Sequence, residues 1–142
     1  MRILILTPRL PWPEIDGGRI AMARLASSLA RCGADVEILS LNPRKHRAGV
    51  AAMAEAPVPI RAVDIDTSRL FRPLLGAMSG QAPWIVARFL SHEFREALRD
   101  ALHRFAPDVV QIESPFLLPY AETVRAEGRA AVALRSQNVE FR

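Results

Sequence analysis

Apolar residues in this chain gather in short runs, and polar residues with glycine and proline fill the spaces between them. The first run, Ile3-Leu4-Ile5-Leu6, is unbroken. A strand with no polar face is one covered on both sides, so this run predicts a central strand of a parallel sheet. Pro8, Pro11 and Pro13 follow, stiffening a loop and denying it ladder hydrogen bonds. Asp16-Gly17-Gly18 comes next, and a helical pattern runs from about Arg19 to Arg31. Within it Met22, Leu25, Leu29 and Cys32 fall three or four residues apart and make one apolar stripe, with alanines around it. Gly33 stands where a residue of positive φ would stop the helix. Val36–Leu41 is a second strand pattern. Strand, helix and strand with short links form a right-handed βαβ unit whose strands are parallel.

Asn42–Arg47 is a basic loop at the exit of the second strand, and Ala48–Ala56 predicts a short helix. Ile60–Ile65 reads as a third strand, with Arg61 and Asp64 marking a sheet edge. Thr67–Pro83 has no assignable period. Trp84–Phe105 predicts the longest helix, through Ile85, Phe89, Phe94, Leu98, Ala101, Leu102 and Phe105. Arg88, His92, Arg95 and Arg99 share another face of it. A membrane-surface reading of that face is weaker than a solvent-facing one, because Glu93, Glu96 and Asp100 are interleaved. His92–Glu96 and Asp100–Arg104 stand at i,i+4 and are expected to pair. Val109–Ile112 is a fourth strand, left by Glu113-Ser114-Pro115. Phe116–Glu127 predicts a helix with Pro119 in its first turn, and Ala130–Leu134 a fifth strand. Arg135-Ser136-Gln137-Asn138-Val139-Glu140 leaves that last strand.

Strands alternating with helices imply an α/β, Rossmann-like fold: a parallel sheet of at least five strands, helices on both faces, simplest order 3-2-1-4-5. Ligands bind beyond the C-terminal strand ends where such an order reverses, here between the first and fourth strands. Three polar exits fall there: Asp16-Gly17-Gly18, Glu113-Ser114 and Arg135–Glu140. A glycine pair before a helix lets a ligand approach bare backbone, and the helix N-terminus offers N–H groups to an anion. Glu113 could instead cap the following helix.

The length of 142 residues suits one domain, and the 50% hydrophobic share is enough for a core. The net charge of +4 rests on arginine, since Lys45 is the only lysine. This bias reads first as base composition and second as attraction to anionic substrates or membrane surfaces. Cys32 is the only cysteine, so neither a disulfide nor a cysteine-based metal site can form within the chain, and a buried, inert thiol is expected. The apolar run after Arg2 is too short for a signal peptide and is stopped by Pro8, and no stretch is long enough to span a bilayer; a cytoplasmic domain is expected. Ten residues separate Leu6 from Gly17, which excludes a tight G-x-G-x-x-G dinucleotide turn. No P-loop, no G-x-S-x-G elbow and no histidine–carboxylate set with metal spacing occurs, so no metal or cofactor is expected. The aromatic–basic interleaving that binds single-stranded nucleic acid is also lacking.

The segments ILILTPRLPWPEIDGGRIAMARLASSLARCGADVEILSLN, PRKH, PWIVARFLSHEF, PDVVQIESPFLLPY and LRSQNVEF occur in an order that resembles the N-terminal, acceptor-side domain of a family 4 (group 1) glycosyltransferase. That is the retaining class with two Rossmann-like domains, the GT-B fold. The resemblance implies a nucleotide-sugar donor and a sugar or lipid-linked acceptor, as in cell-surface polysaccharide or glycoconjugate synthesis. Gly17 and Gly18 match the glycine loop that approaches the donor diphosphate and reacting sugar. Glu113 matches a polar position beside the acceptor cleft. Arg135, Asn138 and Glu140 match a segment reading roughly R-x-H-N-x-E in relatives. Gln137 stands where relatives usually carry histidine; it keeps hydrogen-bonding ability but cannot exchange a proton near neutral pH, which argues against acid/base work there. No catalytic residue is assigned.

In this family a C-terminal domain holds most of the donor contacts. Nothing in residues 1–142 matches it, so this half alone is expected to be inactive and to need that domain in cis or in trans. Contact with the inner face of a membrane is kept as a partner option. Two other readings stand beside the enzyme half: a truncated or split Rossmann-like binding module that depends on a partner chain, and an unrelated α/β nucleotide-binding protein in which Gly17-Gly18 is only a turn.

Overall fold

The computed structural model describes residues 1–46, 50–67, 84–128 and 130–136. The elements are β1 (Arg2–Thr7), α1 (Gly17–Arg31), β2 (Asp35–Pro43), α2 (Val50–Ala54), β3 (Ile60–Ile65), α3 (Trp84–Ala87), α4 (His92–Phe105), β4 (Val109–Ile112), α5 (Tyr120–Glu127) and β5 (Ala131–Leu134). Short 3-10 turns cover Arg44–His46 and Pro115–Leu117. All four strand pairings are parallel, and the order is β3-β2-β1-β4-β5, as the hydrophobic pattern predicts.

β1 lies at the centre because both its faces are apolar. Ile3 and Ile5 pack with Val36, Ile38, Trp12, Ala23 and Ala26 beneath α1. Leu4 and Leu6 pack on the opposite face with Leu39, Val110, Ile112, Phe94, Leu98 and Tyr120 beneath α4 and α5. The small alanines of α1 let it lie close to the sheet, and Ala23 and Ala26 are fully buried. The Pro-rich segment is packed down, with Leu10 and Trp12 buried. β3 carries Arg61 and Asp64 at the sheet edge, where charge blunts further pairing. Gly33, in the turn from α1 to β2, has φ +87°, a conformation that favours glycine.

Several expectations are corrected. The run Trp84–Phe105 is two helices, because Ser91 caps α4: its hydroxyl accepts the Phe94 N–H at 3.2 Å. The Tyr120 hydroxyl fixes the break, accepting the Ser91 N–H at 2.8 Å and donating to the Phe89 carbonyl at 2.9 Å. Helical periodicity persists across such a break, so it did not reveal it. The region after β4 is likewise a 3-10 turn followed by α5, with Pro119 at the N-cap. Arg104 does not pair with Asp100: it donates to Glu37 at 3.0 and 2.6 Å, while Asp100 takes Arg61. Cross-element partners outcompete the helical neighbour in both cases. His92–Glu96 does form, at 3.8 Å. Cys32 is exposed, since it is the C-cap of α1 and the helix axis lifts it off the sheet. Most of Thr67–Pro83 lies outside the described residues.

Candidate functional site

In a parallel sheet every strand ends on the same rim, and alternation assigns each residue to a face. The register therefore places Thr7, Ser40, Asn42, Asp64 and Gln111 on the α1 face near the C-terminal strand ends. Nearer the other end, that same face is Ile3, Ile5, Val36 and Ile38. The α1 face thus turns polar toward the rim. The opposite face stays apolar to its end, with Leu6, Leu41, Ile112 and Leu117 buried.

Asp16 is the N-cap of α1, so Gly17 and Gly18 are the first two helical residues, whose N–H groups have no intrahelical partner; the Gly18 N–H turns toward the Asp16 carboxylate. The Asp16 carboxylate accepts the Arg19 N–H at 3.0 Å and the Arg9 guanidinium at 3.0 Å. The bond from Arg19 is the main reason its carboxyl titrates below the usual value, helped by the charges of Arg9 and Arg19 against opposing desolvation. Arg19 is itself buried, with Nε 3.5 Å from Asp16. A Cβ placed on Gly17 would meet nothing within 4 Å. The bare backbone there faces open space.

Glu113 follows β4 and is tied to β1 by its N–H donating to the Leu6 carbonyl at 3.0 Å. Its side chain is 0% exposed. It is not a helix cap; Ser114 does that work by accepting the Phe116 N–H. Instead Glu113 receives Arg135, whose Nε donates at 3.1 and 2.9 Å and whose Nη2 donates at 2.5 Å, and also the Gln111 amide. Arg135 Nη2 reaches on to the Ala21 carbonyl of α1 at 3.3 Å. The exits of β4 and β5 and the second turn of α1 therefore meet at one guanidinium. Of the predicted site residues, Gly17, Gly18, Glu113 and Arg135 are described and lie on this rim; Gln137, Asn138 and Glu140 lie outside the described residues.

The sequence reading passed over the buried polar residues on strands. Thr7 is fully buried, and its Oγ1 has no hydrogen-bond partner among the described residues. Ser40 donates to the Leu41 carbonyl at 2.7 Å and Asn42 to Asp64 at 2.9 Å. A polar residue closing an apolar strand run is the signal that could have found them. At the other end of the sheet a groove of about 650 Å³ is lined by Arg2, His103, Asp108 and Glu127 among others. Its polar groups are engaged with one another, Arg2 N–H with Asp108 and His103 with Glu127. Among the described residues, no group of three or more His, Cys, Asp or Glu could hold a metal ion. No helix among them is long and apolar enough to cross a membrane.

Fold and rim together define a Rossmann-like domain with polar residues gathered at the switch point of its sheet. The chain belongs to the glycosyl transferase 4-like domain family, whose model matches residues 16–139. Among curated proteins none matches it. Two solved structures are similar in fold. The C-terminal domain of a hydrogenase from Pyrococcus furiosus gives a TM-score of 0.64 at 15% identity, over 95% of this chain and 90% of that one. Phytolacca americana UGT2, complexed with UDP-2-fluoro-glucose and pterostilbene, gives 0.57 at 14% identity, over 94% of this chain and 30% of that one.

Proposed function

We propose that this chain is the N-terminal, acceptor-side domain of a retaining glycosyltransferase of the two-domain kind. It serves transfer of a sugar from a nucleotide-sugar donor to a sugar or lipid-linked acceptor, in polysaccharide or glycoconjugate synthesis on the cytoplasmic side of a membrane. The observation that carries the reading is the convergence of the bare Gly17 backbone with the Glu113–Arg135 pair on one rim, in a chain of this family. The fold is shared with UGT2, whose structure holds a nucleotide sugar, and this chain spans 30% of UGT2. Gly17 and Gly18 face the donor diphosphate and reacting sugar. Arg135, held by buried Glu113, borders the ligand on the other side, and the resemblance assigns Gln137, Asn138 and Glu140 to the same substrate-binding segment. The leaving diphosphate takes the acceptor proton as the resemblance implies, and no covalent nucleophile is assigned.

A second lobe, in cis or from a partner chain, closes the crevice and excludes water. On the face that carries Arg88, His92, Arg95 and Arg99, His92 pairs with Glu96, and Arg99 with Glu96 and Glu127, which favours a solvent-facing surface over a lipid-facing one. The test is an NMR titration of the chain with UDP-glucose beside a transfer assay with labelled nucleotide sugars and acceptors. Weak binding that shifts the Gly17–Arg19 amides, without turnover, is expected. Measurable transfer by the chain alone refutes the need for a second lobe. Binding that leaves the rim amides unmoved refutes the site.

A further inference from the structure

We propose that Glu113 is a positioning residue: it touches no ligand and acts by aiming Arg135, whose Nη1 nitrogen is the group that meets an acceptor oxygen of the nucleotide sugar. The inference rests on the rim being the ligand site. Glu113 has no surface to offer, because its side chain is 0% exposed and both carboxylate oxygens already accept from Arg135. Gln111 takes a further acceptor position on Oε1. An incoming sugar would have to displace a buried ion pair, and an unpaired buried carboxylate is costly.

Arg135 is differently placed. Its side chain is 35% exposed. Nε and Nη2 form the edge that faces Glu113, and Nη2 also reaches Ala21. Nη1, on the far side of the rigid fork, donates to no group among the described residues. A guanidinium held on one edge keeps its outer N–H pair in a fixed direction, which lowers the ordering cost of a further hydrogen bond. A lysine in its place would supply charge without that direction.

The experiment uses the whole chain with UDP-glucose as probe, in four forms: wild type, Glu113→Gln, Arg135→Gln and the double variant. Two readouts are taken, affinity by NMR titration and the exchange rate of the Arg135 Nε–H signal. Each single variant is expected to weaken UDP-glucose binding by about five- to tenfold, and the double variant no further than the weaker single, since both remove one device. Glu113→Gln is also expected to speed Arg135 Nε–H exchange, whereas Ser91→Ala, which perturbs a helix cap elsewhere, leaves that signal slow. Where Glu113→Gln fails to fold, Glu113→Asp keeps the charge, shortens the reach and is expected to shift both readouts in the same direction. Additive losses would show that Glu113 meets the ligand itself and overturn the proposal. Unchanged affinity in Glu113→Gln, or a slow Nε–H signal in it, overturns it too. If wild type binds no UDP-glucose, the ligand-site reading fails, while accelerated Nε–H exchange in Glu113→Gln still upholds the aiming of Arg135.

Discussion

Replacing Gly17 by alanine separates a ligand-facing glycine from a structural one. The fold gives Gly17 no reason to be glycine. It is exposed, it is the first residue of α1, its φ lies outside the left-handed region, and a Cβ would meet nothing within 4 Å. Alanine restricts the unfolded chain and suits a helix better, so Gly17→Ala should stabilise the protein by about 0.4–1 kcal/mol. For a domain of this size that is a melting temperature higher by about 2–4 °C. If a diphosphate approaches the bare backbone, the added methyl group stands in its path. UDP-glucose affinity should then fall at least about tenfold, or about 1.4 kcal/mol, and more for Gly17→Val. Thermal melts and NMR titrations of both variants read the two effects separately. A raised melting temperature with unchanged affinity would make Gly17 a plain helix entry and remove one wall of the proposed site. A lowered melting temperature would show that the position is not the open one the geometry gives.

Tyr120 is the only tyrosine, so its absorbance near 295 nm reports one group. Burial is the main cause that pushes its hydroxyl up to about 12, so at pH 10, where a free tyrosine is about half ionised, the folded protein should show almost no tyrosinate signal. Because the folded value is raised, this contribution to stability is complete below the ordinary tyrosine value near 10 and is lost as pH rises toward 12. A signal already half developed at pH 10 would show the hydroxyl free of its bonds to Ser91 and Phe89. Asp16 behaves with the opposite sign: its folded value is depressed, so its contribution is present above 3.8 and disappears as pH falls through the lower folded value. Asp16→Asn should keep the cap while flattening the acid limb of the melting-temperature profile, and an unchanged acid limb would count against the Arg19 bond as its cause.

What could be read from the sequence followed from what local chemistry controls. The unbroken Ile3–Leu6 run placed β1 at the centre, and charges at Arg61 and Asp64 put β3 at an edge. Parallel connection then forced the exits after Thr7, Ile112 and Leu134 onto one rim, which made Gly17, Glu113 and Arg135 legible as neighbours. What escaped depended on side chains that meet only in three dimensions. Nothing in the order of residues says that Glu113 takes Arg135 rather than capping a helix, or that Arg104 prefers Glu37 to Asp100. The break before α4 was hidden for a similar reason: Tyr120, from another element, satisfies the backbone at Phe89 and Ser91. Cys32 was misjudged because a stripe continued by one residue past the helix end no longer faces the sheet.

The polar turn of the α1 face has a consequence at Thr7, where β1 gives way to the rim. Thr7 sits opposite Ser40 in register, yet Ser40 spends its hydroxyl on Leu41, and Thr7 Oγ1 is buried with no partner among the described residues. An unsatisfied buried hydroxyl costs about 1–3 kcal/mol relative to an apolar group of the same shape. Thr7→Val keeps the branching and nearly the volume, so it should raise stability by about 1–2 kcal/mol, seen as a higher urea midpoint with an unchanged slope. Since the oxygen is out of reach of solvent, UDP-glucose affinity should stay the same. A drop in stability would mean that the hydroxyl has a hydrogen-bond partner in solution. A drop in affinity alone would mean that the rim opens far enough on binding to bring β1's last residue into the site.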